Sequence, residues 1–242
     1  WDKVEKKLFI ARDRVGIKPF YFGWHEGRFY FGSEIKTLFA AGFPKAANYE
    51  LINDFLQWGL IDHSNETFFK GITSLQPGHY QIIDQNKGVR NVQYWDLVKE
   101  IQNGNKIGLP EAIEEYKNLL SSSIDLRLRS DVPVGVFLSG GIDSSILAAR
   151  LAGSDNNNLE AYTYDFSTGD AGEGEYATEV ADWLGLQQKI SILKYKEVPD
   201  YFTKVLHHEE MPVTSLRVAA AHKLYEEFAP MGSTVVLEGH GG

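Results

Sequence analysis

The chain has 242 residues, 33 acidic against 24 basic side chains for a formal charge of −9, 43% hydrophobic residues and no cysteine. At this length a fold hides roughly 70% of the surface of its unfolded chain and forms one large or two small domains, while the lack of cysteine excludes disulfides, thiolate zinc sites and a cysteine nucleophile among these residues. The acidic balance argues against broad nucleic-acid binding, no apolar run approaches the roughly 18 residues of a membrane span, and Trp1-Asp2-Lys3 does not open a signal peptide, so a cytoplasmic location is expected. A chain that opens on Trp1 and ends in a glycine-rich run at Gly242 is expected to be part of a longer protein, cut at both ends.

The first hundred residues read as short strands with two helices. Aromatic and β-branched runs predict strands at 8–11, 20–22, 28–31 and 79–83. The run Gly16-Ile-Lys-Pro19 reads as a turn feeding a strand, and Glu26-Gly27 as a hairpin tip. Helical spacing is found at 33–38 and 48–56, with Ser33 and Asn48 as the capping residues. This region is therefore expected to be α+β.

The chain turns polar across 103–108, and a long amphipathic helix then opens with Pro110 in its first turn. The domain boundary is placed there, giving domains 1–105 and 106–242. Beyond it strands and helices alternate: strand 132–138, helix 144–151, strand 159–166, helix 174–184, strand 188–193, helices 198–208 and 217–228, strand 234–238. Alternation of this kind predicts a mostly parallel sheet wrapped on both faces.

The most informative stretch joins the apolar run Val134-Gly-Val-Phe-Leu138 to Ser139-Gly-Gly-Ile-Asp-Ser-Ser145 and then to an apolar-periodic helix. Strand, glycine turn and helix start meet at the carboxyl edge of a parallel sheet, where ligands bind. Gly140 and Gly141 let the backbone approach an anion, the helix start offers unpaired amides, and the hydroxyls of Ser139, Ser144 and Ser145 add donors. The loop is therefore expected to capture phosphate or pyrophosphate. It ends neither as a Walker A loop nor as a dinucleotide-binding turn. Asp143 would repel phosphate unless a cation lies between them, which points to Mg²⁺ bridging to a nucleotide; an ordinary turn with Asp143 as a helix cap is the plainer alternative.

Ser139-Gly-Gly-Ile-Asp-Ser-Ser145 resembles the pyrophosphate loop of N-type ATP pyrophosphatases, and Arg127-Leu-Arg-Ser-Asp-Val-Pro-Val-Gly135 before it is similar to the approach found in glutamine-dependent asparagine synthetases. Ala11-Arg-Asp-Arg-Val-Gly-Ile-Lys-Pro-Phe-Tyr21 followed by Phe31-Gly-Ser-Glu-Ile-Lys36 resembles the closing part of the class II glutamine amidotransferase domain that precedes the synthetase domain in that family. The resemblance implies an α/β chain: an α+β part of an Ntn-type glutaminase domain, then a doubly wound parallel-sheet ATP pyrophosphatase domain. It implies an enzyme that adenylates the aspartate side-chain carboxylate with ATP and Mg²⁺ and passes glutamine-derived ammonia to it, with no nucleic acid or membrane as partner. By position, Ser139, Gly140, Gly141, Asp143, Ser144 and Ser145 would hold pyrophosphate, Asp143 would also serve magnesium and catalysis, and Leu138 and Tyr164 would contact adenosine.

Glu238-Gly239 resembles the family segment that contacts ATP and precedes an acidic pair, and Arg217, in Thr214-Ser-Leu-Arg217, resembles an arginine that approaches phosphate or the acidic substrate. A solvated helix start is the alternative for Arg217, and an ordinary loop histidine the alternative to a proton carrier for His240. His207-His-Glu-Glu210 lacks the i, i+4 spacing of a helical metal motif and reads as a wet helix end. Arg12-Asp-Arg14 is assigned no chemistry. Two other functions stay open: ATP-dependent amidation or cyclisation of a different carboxylate, as on a sugar, a peptide or a β-lactam precursor, and a non-catalytic nucleotide-binding module.

Overall fold

The computed structural model describes residues 1–84, 88–104, 106–153, 159–166, 174–228, 230 and 235–239. The chain divides into two compact units, Trp1–Lys106 with His207–Thr214, and Ile107–Leu206 with Ser215–Gly242. Among the described residues, no helix is long and apolar enough to cross a membrane.

The first unit carries strands β1 (Lys7–Ala11), β2 (Tyr21–His25) and β3 (Arg28–Gly32), helices α1 (Ile35–Ala40) and α2 (Tyr49–Trp58), strands β4 (Ile72–Ser74), β5 (His79–Asp84) and β6 (Gly88–Gln93), and helix α3 (Leu97–Asn103). They form two three-stranded antiparallel sheets, ordered β1-β5-β6 and β3-β2-β4. The β2–β3 turn falls on Glu26 and Gly27, both at positive φ (49° and 72°), the two-residue geometry that matches strand twist. Ile35, Leu38, Phe43 and Ile72 pack into one apolar cluster. The elements the sequence pattern did not announce are β4, only three residues long, the mostly exposed β6, and α3, whose N-cap Asp96 accepts from Val98 N.

Both capping expectations need correction. The N-cap of α1 is Glu34, not Ser33, and its side chain makes no cap bond. The carboxylate of Glu210 does that work, accepting from Ile35 N at 2.6 Å and from Lys36 N. Glu210 is therefore no wet helix end: its side chain is only 9% exposed. Asn48 does occupy the N-cap of α2 but makes no cap bond, because its Nδ2 donates to Glu66 Oε2 (2.8 Å) and Thr67 O (3.2 Å).

The guanidinium of Arg12 donates to Lys18 O (2.9 Å), Gly16 O (2.9 Å), Ser74 Oγ (3.0 Å) and Leu75 O (2.7 Å). Asp13 beside it accepts from Lys18 N and Ile17 N, which holds its carboxyl below the usual range. This fork closes the 13–18 turn onto the end of β4, a structural task. A lysine ammonium cannot reach four divergent acceptors. Arg12→Lys should therefore cost about 1–3 kcal/mol, read as a lower urea midpoint; an unchanged midpoint would contradict the bracing role.

The second unit is a four-stranded parallel sheet made of β7 (Val134–Phe137), β8 (Glu160–Phe166), β9 (Gln187–Leu193) and β10 (Val235–Leu237), in the order β10-β7-β8-β9. Helices α4 (Leu109–Arg127), α5 (Ile142–Ala152), α6 (Gly174–Leu184), α7 (Val198–Glu209) and α8 (Leu216–Phe228) connect and cover it. Adjacent strand residues face opposite ways, and β8 makes the two layers plain. Ala161 joins Val136, Leu138, Ala148, Ala177 and Ile124 in the core toward α4, α5 and α6, whereas the ring of Tyr162 meets Phe228 of α8 at 5.9 Å. The sheet is thus doubly wound, as the alternation of elements predicts. The chain runs β7, β8, β9 in one direction and returns to place β10 on the other side of β7, so strand order reverses at β7. At such a switch point the connecting segments diverge and leave a crevice at the carboxyl edge.

Candidate functional site

The loop after β7 opens at this switch point. Leu138 is fully buried, its N–H donates to Tyr162 O (2.8 Å) and its carbonyl accepts from Thr163 Oγ1 (2.8 Å). Any further contact through the Leu138 main chain would use the remaining lone pair of that carbonyl. Gly141 is the N-cap of α5 and has no side chain with which to cap it. The N–H groups of Ile142, Asp143 and Ser144 lie in the first turn, out of reach of any helical carbonyl, and the positive end of the helix adds to their attraction for an anion.

Two of the three serines are occupied within the loop. Ser144 Oγ donates to Gly141 O (3.1 Å) and accepts from Ser139 N (3.2 Å), and Ser139 Oγ lies 3.0 Å from Ser144 Oγ. Their hydroxyls brace the turn. Ser145 differs: its Oγ is buried and has no hydrogen-bond partner among the described residues.

Gly140 is required twice over. Its φ is +80°, and a Cβ there would stand 2.5 Å from Tyr176 Cβ and 2.6 Å from Ala177 N on α6. Gly239 brings the end of β10 against the same helix start, where a Cβ would lie 3.1 Å from Asp143 Cβ and from Ser144 N. A cavity of about 380 Å³ between α4, α5 and the end of β10 is bordered by Asp143, Ile146, Arg127, Glu238 and Gly239.

Asp143 is exposed in the first turn of α5. The described residues hold no cluster of three histidines, aspartates or glutamates able to cage a metal ion. The donor set fits magnesium in its usual nucleotide-dependent form, with one carboxylate and the remaining ligands from phosphate and water.

Tyr164 of β8 is half-buried, its ring 5.2 Å from Phe137 and 6.1 Å from Phe166, on the sheet face away from α5. Arg217 is exposed in the first turn of α8, its N–H donating to Ser215 Oγ at 3.1 Å. The direction of α8 follows from two contacts. Lys223 Nζ reaches Ile192 O near the carboxyl end of β9 at 2.8 Å, and Phe228 meets Tyr162 nearer the start of β8. The helix therefore runs antiparallel to the strands and begins at their carboxyl edge, the edge where the Ser139–Ser145 loop opens. Arg217 does not border the 380 Å³ cavity.

Tyr225 of α8 lies outside the residues that the sequence motifs mark. Burial raises its hydroxyl to about 12, with the carboxylate of Glu238 and then Tyr164 adding to the effect, so it belongs to the surroundings of Glu238. Its position in α8 carries no signal of that. His240, Gly241 and Gly242 lie outside the described residues.

The sequence profile described as Asparagine synthase matches residues 115–242, and that of a Glutamine amidotransferase domain matches residues 1–95. The amidase chyE of Penicillium rubens is 30% identical over 256 residues, an alignment covering 100% of this chain and 38% of that protein. A putative asparagine synthetase [glutamine-hydrolyzing] 2 of Methanocaldococcus jannaschii is 31% identical over 249 residues, covering 100% and 47%. Asparagine synthetase [glutamine-hydrolyzing] 2 of Bacillus subtilis is 39% identical over 172 residues, covering 67% and 23%. The chain thus spans less than half the length of these relatives.

Proposed function

Because the chain belongs to the asparagine synthase family, we propose that it serves an ATP-dependent amide-forming ligase, in which a carboxylate is adenylated with release of pyrophosphate and ammonia then displaces AMP. The observation that carries this reading is the first turn of α5: three consecutive main-chain N–H groups, reached through a glycine at φ +80°, at the carboxyl edge where strand order reverses. Such a turn is a ready cradle for a polyphosphate.

In this reading Gly140, Gly141 and the amides of 142–144 hold the leaving pyrophosphate, with Ser145 Oγ as a donor awaiting an acceptor. Ser139 and Ser144 keep the turn in shape. Leu138, Tyr164 and Glu238-Gly239 border the adenosine. Arg217, at the start of α8, meets negative charge on phosphate or on the acceptor through its paired N–H groups. Asp143 would hold a magnesium ion whose charge, when it is bound with the nucleotide, offsets that of the phosphates. The residues matching the amidotransferase profile contain no cysteine, so ammonia production by a thiolate is not assigned to them.

Aspartate is the acceptor favoured by the asparagine synthetases among the relatives, with asparagine as product. A relative named as an amidase and not as an asparagine synthetase leaves the acceptor open, and amidation of another carboxylate is the second reading. Pyrophosphate release by the complete gene product, with ammonia and a panel of carboxylic acids, separates the two. Turnover with aspartate supports the first; turnover only with a different acid moves the assignment to the second. No ATP-dependent release with any acid would remove both.

A further inference from the structure

Lys223 is a buried lysine, 6% exposed, on α8. Its Nζ donates to Ile192 O (2.8 Å) near the end of β9 and to Glu197 Oε2 (2.7 Å) in the short 3-10 turn Tyr195–Glu197. Glu227 Oε1 lies 3.7 Å away, and the ring of Tyr201 on α7 centres at 5.9 Å. Glu197 is itself fixed, accepting from Lys194 N at 2.9 Å. One ammonium thus ties α8 to the end of β9 and to the entry of α7.

Lysine is among the residues least often buried, and an apolar side chain commonly fills such a place without loss of stability. An apolar contact tolerates sliding, whereas directed hydrogen bonds to a strand carbonyl and a carboxylate do not. They fix how far α8 stands along the sheet. Arg217 is six residues earlier on the same helix, about 9 Å further along the axis at 1.5 Å per residue, beyond the carboxyl edge.

We infer that Lys223 is a positioning residue for Arg217: by pinning α8 to β9 and to the 195–197 turn, it sets the reach of the Arg217 guanidinium over the edge where the phosphate-bearing substrate lies. The inference rests on the role proposed above for Arg217.

The test uses the complete gene product and the variants Lys223→Met, Lys223→Arg, Glu197→Gln, Arg217→Ala and the pair Lys223→Met/Arg217→Ala. Four quantities are read: kcat and KM for ATP-dependent pyrophosphate release, equilibrium affinity for magnesium pyrophosphate, and the thermal midpoint. Displacement of a substrate-facing group by about 1 Å costs up to a hundredfold, and a pivot about 1.7 turns away should cost about tenfold in kcat/KM. Lys223→Arg, which keeps the donors, should recover most of this, and the gentler Glu197→Gln should lose about threefold, which keeps the test alive if Lys223→Met does not fold.

The decisive result is coupling. With Arg217 already removed, Lys223→Met should cost less than about twofold, because residues acting through one another are non-additive. An undiminished loss in that background, or a lowered midpoint with kcat/KM and pyrophosphate affinity unchanged, would overturn the inference and leave Lys223 a structural residue. Arg217→Ala without effect on turnover or affinity would instead refute the role of Arg217, and the inference with it.

Discussion

Gly140→Ala should abolish nucleotide binding and cost the second unit about 2–5 kcal/mol of stability, the sum of a left-handed backbone carrying a Cβ and forced overpacking. The two terms are independent. The φ of +80° penalises any side chain, and the new Cβ would be driven to 2.5 Å from Tyr176 Cβ and 2.6 Å from Ala177 N. Ala177 N belongs to the backbone of α6, so a rotamer change cannot relieve the contact. Either the loop moves away, and the amides of 142–144 no longer converge, or α6 moves, and the core around Ala177 opens. Domains of this kind hold only about 5–15 kcal/mol in total, so much of the margin is at stake. A urea titration followed by far-UV circular dichroism, with magnesium-ATP titrated in parallel, reads both effects. Parental midpoint and parental affinity together would show that the turn does not need its glycine.

Asp143→Asn should produce a loss whose sign depends on magnesium. Asp143 and a bound phosphate compete for the same positive helix end, and each is unfavourable for the other unless a cation lies between them. With magnesium present, removal of the carboxylate should weaken ATP binding by about 10- to 100-fold, or roughly 1.4–2.7 kcal/mol. With magnesium chelated, the same variant should bind pyrophosphate at least as tightly as the parent, since a repulsion has been removed. Asparagine keeps the size and the helix-start preference of the residue, and the fold should be retained. Isothermal titration with and without chelator reads both arms. Equal affinity of parent and variant in magnesium would remove the metal role from Asp143, and weaker binding without magnesium would show that the carboxylate organises the loop instead.

The parts of this account that were legible in the sequence are those set by neighbours along the chain. The passage from β7 through Ser139–Ser145 into α5 could be read because an apolar run, two glycines and a helical period follow one another without a break. The Glu26-Gly27 turn was legible for the same reason. What stayed hidden was set by residues distant in sequence. Ser33 looked like a cap, but the α1 helix start is closed by Glu210, 175 positions away from Ile35, and no local pattern carries that information. Ser139 and Ser144 read as phosphate donors because serine supplies hydroxyls, and no local pattern shows that those hydroxyls also bond one another and Gly141 O. Lys223 sits in a helix without marked apolar periodicity, and its buried contacts come from what α8 packs against. Short or exposed elements such as β4 and β6 carry too few buried residues to leave a periodic signal.

The central claim is that main-chain amides at the start of α5 hold a polyphosphate. Amide resonances of an isotope-labelled sample, followed while magnesium-ATP is added, test it most directly. The largest shifts are expected on Gly140, Gly141, Ile142, Asp143 and Ser144, saturating together with one dissociation constant. Saturable binding that leaves those five amides unmoved and shifts another surface would contradict it.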